Sequence, residues 1–281
     1  KTFVSSLMIS IFCIGNAILS AFLVTYYKLE IYGVAVGTVI SAYITVIIFL
    51  ILSYFTLRNK LKSSLTYKKI FNVIKLLKLF NINIDIFIRT ILLTFSFLWV
   101  TYQGSILGEN YLAVNALLIQ FIIFASFFLD AYAFSTEAVI GYAIGKRAKH
   151  SFLAVVTNSF KLSIITGLII SVIYLFFFQS IINELTSLDY LKYLAFNYIF
   201  WIIVIPPVAS ICYQLDGIFI GASQTAEMRN AMIVSVFIFI VSSQPLIKNF
   251  GNHGLWLSLL FFMIIRSITL NYYFNRILSK F

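Results

Sequence analysis

The sequence predicts an all-α, polytopic membrane protein with eight transmembrane helices, and three observations carry that prediction. Of 281 residues, 62% are hydrophobic and 10% are charged, against about half and about a quarter in ordinary soluble domains. With 30 Phe and 17 Tyr and so few ionised groups, the chain cannot cover its apolar surface with charge, so that surface must face lipid. The apolar residues also gather into eight runs, each long enough to cross about 30 Å of hydrocarbon.

The runs cover residues 2–27, 31–57, 84–107, 112–145, 151–182, 190–222, 230–248 and 254–275. The first continues to Tyr27 without a small-residue cleavage pattern, so it reads as a span and not as a cleavable signal. A chain that opens on Lys1 and enters a span at once is expected to be a piece of a longer one. Gly33 opens the second run. Residues 58–83 follow, holding Arg58, Lys60, Lys62, Lys68, Lys69, Lys75 and Lys78. Within them Lys68, Asn72 and Lys75 recur at helical spacing opposite Ile70, Val73, Ile74 and Leu77, the pattern of an interfacial helix on anionic lipid.

The third run starts with Asp85 and Arg89, four apart and expected to form a helix-start ion pair. The fourth places Asp130, Phe134 and Glu137 at offsets of 0, 4 and 7, on one helix face with Gly141. The sixth contains two of the three prolines, Pro206 and Pro207, expected to kink it and free backbone carbonyls. Asp216 follows, with Tyr213 one turn before it and Gly217 and Gly221 spaced to admit another backbone. The seventh carries Pro245; Gly254 opens the eighth, which holds Arg266. Cys13 and Cys212 lie far apart within apolar runs, which supports neither a disulfide nor a zinc site.

Charge sets the topology. With residues 58–83 inside, the seven basic residues there join Lys1, Lys146, Arg147, Lys149, Arg229, Arg276 and Lys280 on one face. The opposite loops carry only Lys28, Lys192 and Lys248, with Glu30, Glu109, Glu184 and Asp189. By the positive-inside rule both termini are cytoplasmic. The net charge of +11 is thereby accounted for without nucleic acid.

A weak internal repeat links Asn16-Ala17 and Gly33-Val34-Ala35 with Asn230-Ala231 and Gly254-Leu255-Trp256. Such repeats mark transporters built from duplicated halves. If the last two spans close one half and the first two close the other, the chain has one six-helix half and the final two helices of its sister, and four helices are expected upstream.

Ionisable groups at membrane depth are functional candidates by default. Asp216, Asp130 and Glu137 are the candidates for holding a cation or a proton. Glu137 has an alternative as a helix anchor paired with Lys146 or Arg147, and Asp216 as a structural partner of Arg266. Gln103, Asn115 and Gln120 are candidate cavity groups, with hydrogen bonding between helices as the alternative. His150 and His253 lie in or beside loops. No Ser/His/Asp cluster, metal-ligand spacing, dinucleotide glycine pattern or P-loop appears in the sequence, which leaves an enzyme or an ATP-driven pump without machinery.

Several ordered blocks resemble the multidrug and toxic compound extrusion (MATE) family in its DNA-damage-inducible (DinF-type) branch: Asn83-Ile84-Asp85-Ile86-Phe87-Ile88-Arg89-Thr90, Gln103-Gly104-Ser105-Ile106-Leu107-Gly108, Leu112-Ala113-Val114-Asn115-Ala116 and Phe128-Leu129-Asp130-Ala131-Tyr132-Ala133. So do Glu137-Ala138-Val139-Ile140-Gly141, Leu215-Asp216-Gly217-Ile218-Phe219-Ile220-Gly221, Met228-Arg229-Asn230-Ala231-Met232 and Gly251-Asn252-His253-Gly254-Leu255-Trp256. The resemblance implies a twelve-helix antiporter of two six-helix lobes. Residues 1–57 are then the last two helices of the first lobe, 58–83 a basic cytoplasmic linker and 84–281 the second lobe. Asp216 falls where the family carries a coupling-associated acid in its tenth helix. Two departures stand out. Asn16, part of a first-lobe cation site in many relatives, is present, but Ser20 replaces the acid four residues on. Residues 90–100 also lack the carboxylate of the sodium-coupled branch.

The implied function is secondary active efflux. Organic compounds, cationic or amphipathic, would be exchanged for protons or sodium ions by alternating access in the cell inner membrane. Asp216, Asp130 and Glu137 would couple the ion; Tyr213, Gln103, Asn115, Gln120 and Asn16 would line the substrate path. The protein is expected to be a monomer, not an enzyme, with the lipid bilayer and a small organic substrate as partners and no metal or cofactor beyond the coupling ion. The alternatives are a lipid-linked oligosaccharide flippase of the same superfamily, which needs a strongly cationic cavity, a membrane-embedded lipid transferase, and an inactive truncated remnant.

Overall fold

The computed structural model describes residues 2–61, 71–279 and 281. The stretch 62–70, with Lys62 and Lys69 of the basic linker and Lys68 and Ile70 of the expected interfacial helix, lies outside the described residues, as do Lys1 and Lys280. Among the described residues the chain is helical: α1 Thr2–Thr25, α2 Glu30–Leu61, α3 Val73–Leu107, α4 Glu109–Gly145 and α5 Lys149–Leu185, then α6 Asp189–Phe196, α7 Ile199–Gly221, α8 Thr225–Phe250 and α9 Asn252–Leu278. All but the short α6 are long and apolar enough to cross a membrane, which makes eight candidate spans. The described part of the basic stretch, from Val73, runs on into the third span as one helix.

The chain divides into two compact units, Lys1–Leu76 and Leu77–Phe281. In the first, α1 and α2 form a hairpin whose seam is built from small residues. Gly33, Gly37 and Ser41 repeat every fourth residue on α2. A Cβ on Gly37 would stand 2.6 Å from Ser20 Oγ, and one on Gly33 would stand 3.2 Å from the Leu23 carbonyl carbon. Asn16 Oδ1 accepts a hydrogen bond from Thr38 across the seam at 3.1 Å and one from Ser20, a turn further along α1, at 2.9 Å. Without a hydrophobic drive between helices in lipid, such close approach and hydrogen bonding hold them together.

In the second unit α7 is the centre, packed against α4, α5 and α9. Residues 212–219 are buried without a gap, as expected for a helix enclosed on all sides. α8 and α9 are joined by the single residue Gly251, whose φ of 57° and ψ of −135° suit only glycine. Gly254, one turn on, lies so close to the Leu246 carbonyl that no side chain fits. In each unit, therefore, the glycine of the sequence repeat seats a helix against the one before it.

The expected sixth span differs in one respect. It breaks at Asn197 and Tyr198, separating α6 from α7, and Pro206 and Pro207 remain inside an unbroken α7. At the break the helix tightens into three-residue turns, with Tyr198 N–H bonded to the Ala195 carbonyl at 3.0 Å. The Tyr198 ring packs on His253, centroids 4.6 Å apart, and Trp201 donates its Nε1 proton to His253 Nδ1 at 3.1 Å. Aromatic docking onto the α8–α9 turn therefore fixes the break. At the proline pair, Gly167 of α5 leaves room for the backbone, since a Cβ there would lie 2.9 Å from Pro207 Cα.

Candidate functional site

The buried stretch of α7 places Asp216, 4% exposed, between two basic helices. Its Oδ2 accepts one hydrogen bond from Arg89 Nη2 of α3 and another from Arg266 Nη2 of α9. Arg266 is fully enclosed, its side chain 1% exposed, whereas that of Arg89 is 17% exposed. Among the described residues Asp216 Oδ1, Arg89 Nε and Arg266 Nη1 have no hydrogen-bond partner. The Arg266 pairing weighed in the sequence is thus present, and a second arginine joins it; Tyr213 is a neighbour in the wall and not the hydrogen-bonding partner of Asp216.

Arg89 is available because its sequence neighbour is taken. The helix-start pair expected between Asp85 and Arg89 is replaced by a cross-helix cluster. Asp85 accepts from Arg229 Nη1 at 2.6 Å and from Thr225 Oγ1 at 2.9 Å, both at the start of α8. A carboxylate buried to 6% exposure gains more from two fixed donors than from one side chain four residues along its own surface.

Beside the arginine–aspartate cluster lies a cavity of about 230 Å³, with Arg89, Asp130, Phe134, Glu137, Tyr213 and Asp216 in its wall. Asp130 and Glu137 of α4 reach the same space as Asp216 of α7 because the two helices touch backbone to backbone. A Cβ on Gly217 would collide with the Ala133 carbonyl, and one on Gly221 would lie 2.5 Å from the Glu137 carbonyl oxygen. Glu137 forms no ion pair with Lys146, whose ammonium sits 4.4 Å from the centroid of the Tyr142 ring. Asp130 lies within electrostatic reach of Arg89, Asp216 and Arg266.

The remaining candidates lie elsewhere. Asn115 is a buried clasp between α4 and α9: it exchanges hydrogen bonds of 2.8 and 3.0 Å with Asn252, and its Oδ1 accepts from Trp256 Nε1 at 2.9 Å. Gln103 lines a groove with Trp99, Gln244 and Lys248, and Gln120 an apolar one with Phe124 and Tyr174. Asn16 belongs to the α1–α2 seam. The contact between Thr136 and Gln214, 3.0 Å across the α4–α7 seam, has no signal in the sequence beyond its proximity to Gly217.

The chemistry open to the cavity is ionic. It has three carboxyl groups and the guanidinium of Arg89 in its wall, with Arg266 behind Asp216. No three His, Cys, Asp or Glu side chains among the described residues come together as metal ligands. A large apolar share of the wall, including Phe97 and Phe134, suits an amphipathic guest.

Comparison with known proteins gives consistent matches. The family described as MatE matches residues 85–246. The chain is 37% identical over 257 residues to the DNA damage-inducible protein F of Escherichia coli K12, covering 91% of this chain and 55% of that protein. It is 23% identical to Protein DETOXIFICATION 43 of Arabidopsis thaliana, over 90% of this chain and 47% of that one. The chain thus spans about half the length of the curated relatives it matches. Among solved structures, a point mutant of the Vibrio cholerae MATE transporter VcmN superposes with a TM-score of 0.87 at 17% identity, over 99% of this chain and 63% of that one.

Proposed function

Since the chain belongs to the MATE family of membrane transporters, we propose that it takes part in proton-driven extrusion of organic cations by alternating access. The observation that carries this reading is the company kept by the three acids: Asp216 is engaged by two arginines, while Asp130 and Glu137 face the same cavity and share no ion pair among the described residues.

The charge count gives the exchange a direction. Two arginines against Asp216, Asp130 and Glu137 leave an excess of one negative charge when all three acids are ionised. That excess favours a cationic, amphipathic guest against the phenylalanine wall. One proton brings the sum to zero and two make it positive, so inward-moving protons weaken the hold on the guest. The same count speaks against a lipid-linked oligosaccharide, whose phosphates need a cationic cavity. Sodium is disfavoured at Asp216 because two guanidinium groups already offset its single charge and repel a further cation. By the positive-inside rule both ends of the chain are cytoplasmic.

The test is exchange of a fluorescent organic cation by the complete reading frame in proteoliposomes. An imposed pH gradient should drive transport and a sodium gradient alone should not. Asp130→Asn and Glu137→Gln should each lower pH-driven exchange at least about tenfold, the scale of losing one protonatable group. Undiminished exchange in Asp130→Asn, Glu137→Gln and Asp216→Asn alike would remove this cavity from the mechanism.

A further inference from the structure

Arg89 stands at the junction of two features that the charge count does not use. α3 makes no extensive backbone approach to any other described helix, unlike α4, α5, α7, α8 and α9. Side chains hold it to the rest of the second unit: Val100, Leu92 and Phe97 pack on the apolar core, and the polar ties are Asp85 to Arg229 and Thr225, Arg89 to Asp216, and Trp99 Nε1 to Ser243 Oγ at 3.0 Å, with Gly104 against Asn115. Without extensive backbone contact to lock its position, the helix has freedom to adjust when a polar tie changes. Of the two arginines on Asp216, Arg266 is sealed in and Arg89 borders the cavity that also holds Asp130.

We propose that Arg89 is a positioning residue that reports the protonation of Asp130 to α3. With Asp130 neutral, Arg89 stays on Asp216. When Asp130 gives its proton to cavity water, two carboxylates compete for one guanidinium; Arg89 is drawn toward Asp130, and Arg266 alone keeps Asp216 paired. Arg89 Nε and Asp216 Oδ1, both without partners, supply the spare donor and acceptor for that rearrangement. The groups facing Asp130 are Arg89 from α3, Tyr213, Cys212 and Asp216 from α7, Arg266 from α9, and Glu137 on its own helix. Only Arg89 among them is a partly exposed cation, so the displacement falls on α3. The inference rests on the proton-driven reading above, but it is tested without transport.

The experiment is fluorine NMR of the complete reading frame in lipid nanodiscs, labelled with 5-fluorotryptophan. The chain has three Trp: Trp99 on α3, Trp201 and Trp256; loss of a peak in Trp99→Phe assigns the first. The Trp99 resonance should move with pH through one transition, while that of the buried Trp256 stays fixed. Asp130→Asn and Arg89→Gln should each abolish the Trp99 transition, Glu137→Gln should retain it, and an unchanged Trp256 resonance certifies the fold of each variant. Arg89→Lys, which keeps the charge, covers the case in which Arg89→Gln fails to fold and should retain a shifted transition. A Trp99 resonance indifferent to pH, or one that titrates unaltered in Arg89→Gln, overturns the proposal. If pH-driven exchange still depends on Asp130 in that event, proton coupling survives and only the relay through Arg89 falls.

Discussion

Ser171 donates its hydroxyl to the carbonyl of Ile203 at 2.6 Å, and that carbonyl is the one Pro207 leaves without a helical N–H partner. The hydroxyl of Ser171, itself buried, thus repairs the ladder of α7 where the proline interrupts it.

Ser171→Ala should therefore lower stability by about 1–2 kcal/mol, the cost of a buried carbonyl left unpaired. Pro207→Ala restores the missing N–H and should make the serine dispensable. In the double variant the cost of Ser171→Ala should shrink toward zero. The midpoint of SDS-induced unfolding in mixed micelles measures all three. Additive costs in the double variant would show that Ser171 acts elsewhere.

The α4–α7 seam gives a second prediction. Gly217→Ala sets a methyl group against the Ala133 carbonyl, and Gly221→Ala sets one against that of Glu137. Neither obstacle is a side chain that can turn aside. Each should cost about 2 kcal/mol or more through overpacking. Gly145→Ala, with nothing within 4 Å of the added carbon, should be neutral or slightly stabilising. Unfolding midpoints that rank Gly145 with the other two would contradict the seam.

How far the sequence could be read divides along the same lines. The eight spans and the Gly217–Gly221 approach were legible because hydropathy and small-residue spacing are local signals. Asp216, Asp130 and Glu137 stood out because acids are rare at membrane depth, and helical periodicity alone puts Asp130 and Glu137 on one face. The partners of Asp216 were only half visible. Arg89 lies 127 residues away and has Asp85 at helical spacing, so a local rule misassigns it. The break at Asn197 and Tyr198 has no proline or glycine to announce it; it depends on His253 across the bundle. Pro206 and Pro207, the loudest local signal, lie in unbroken helix because Gly167 and Ser171 accommodate them. For Asn115 the sequence leaves a cavity role and a helix-to-helix hydrogen bond both open, because nothing nearby in sequence foretells Asn252 and Trp256.

Asn115 offers a third test. It makes hydrogen bonds to Asn252 and Trp256 with all parties buried. Asn115→Leu removes these bonds and strands the Asn252 amide and the Trp256 indole N–H. A loss of about 2–4 kcal/mol is expected, since two partners are left unsatisfied together. Gln120→Leu, on an exposed face, should change stability by less than about 0.5 kcal/mol. Equal effects at the two positions would argue that Asn115 is not a clasp.

The choice of partner by Asp85 can be measured directly, because the two candidate pairs make opposite predictions in a double-mutant cycle. If Asp85 belongs to Arg229 and Thr225, then Asp85→Asn and Arg229→Gln are each destabilising, and their combination costs less than the sum, with a coupling energy of about 1–3 kcal/mol. Thr225→Val should remove a single neutral donor and cost about 1 kcal/mol. The cycle between Asp85→Asn and Arg89→Gln should instead show coupling below about 0.5 kcal/mol, although Arg89→Gln is itself costly because it uncovers Asp216. Helical spacing alone makes the second cycle the larger one. Unfolding midpoints for the single variants and the two combinations decide between them, and a dominant Asp85–Arg89 coupling would return Arg89 to its sequence neighbour and detach it from Asp216.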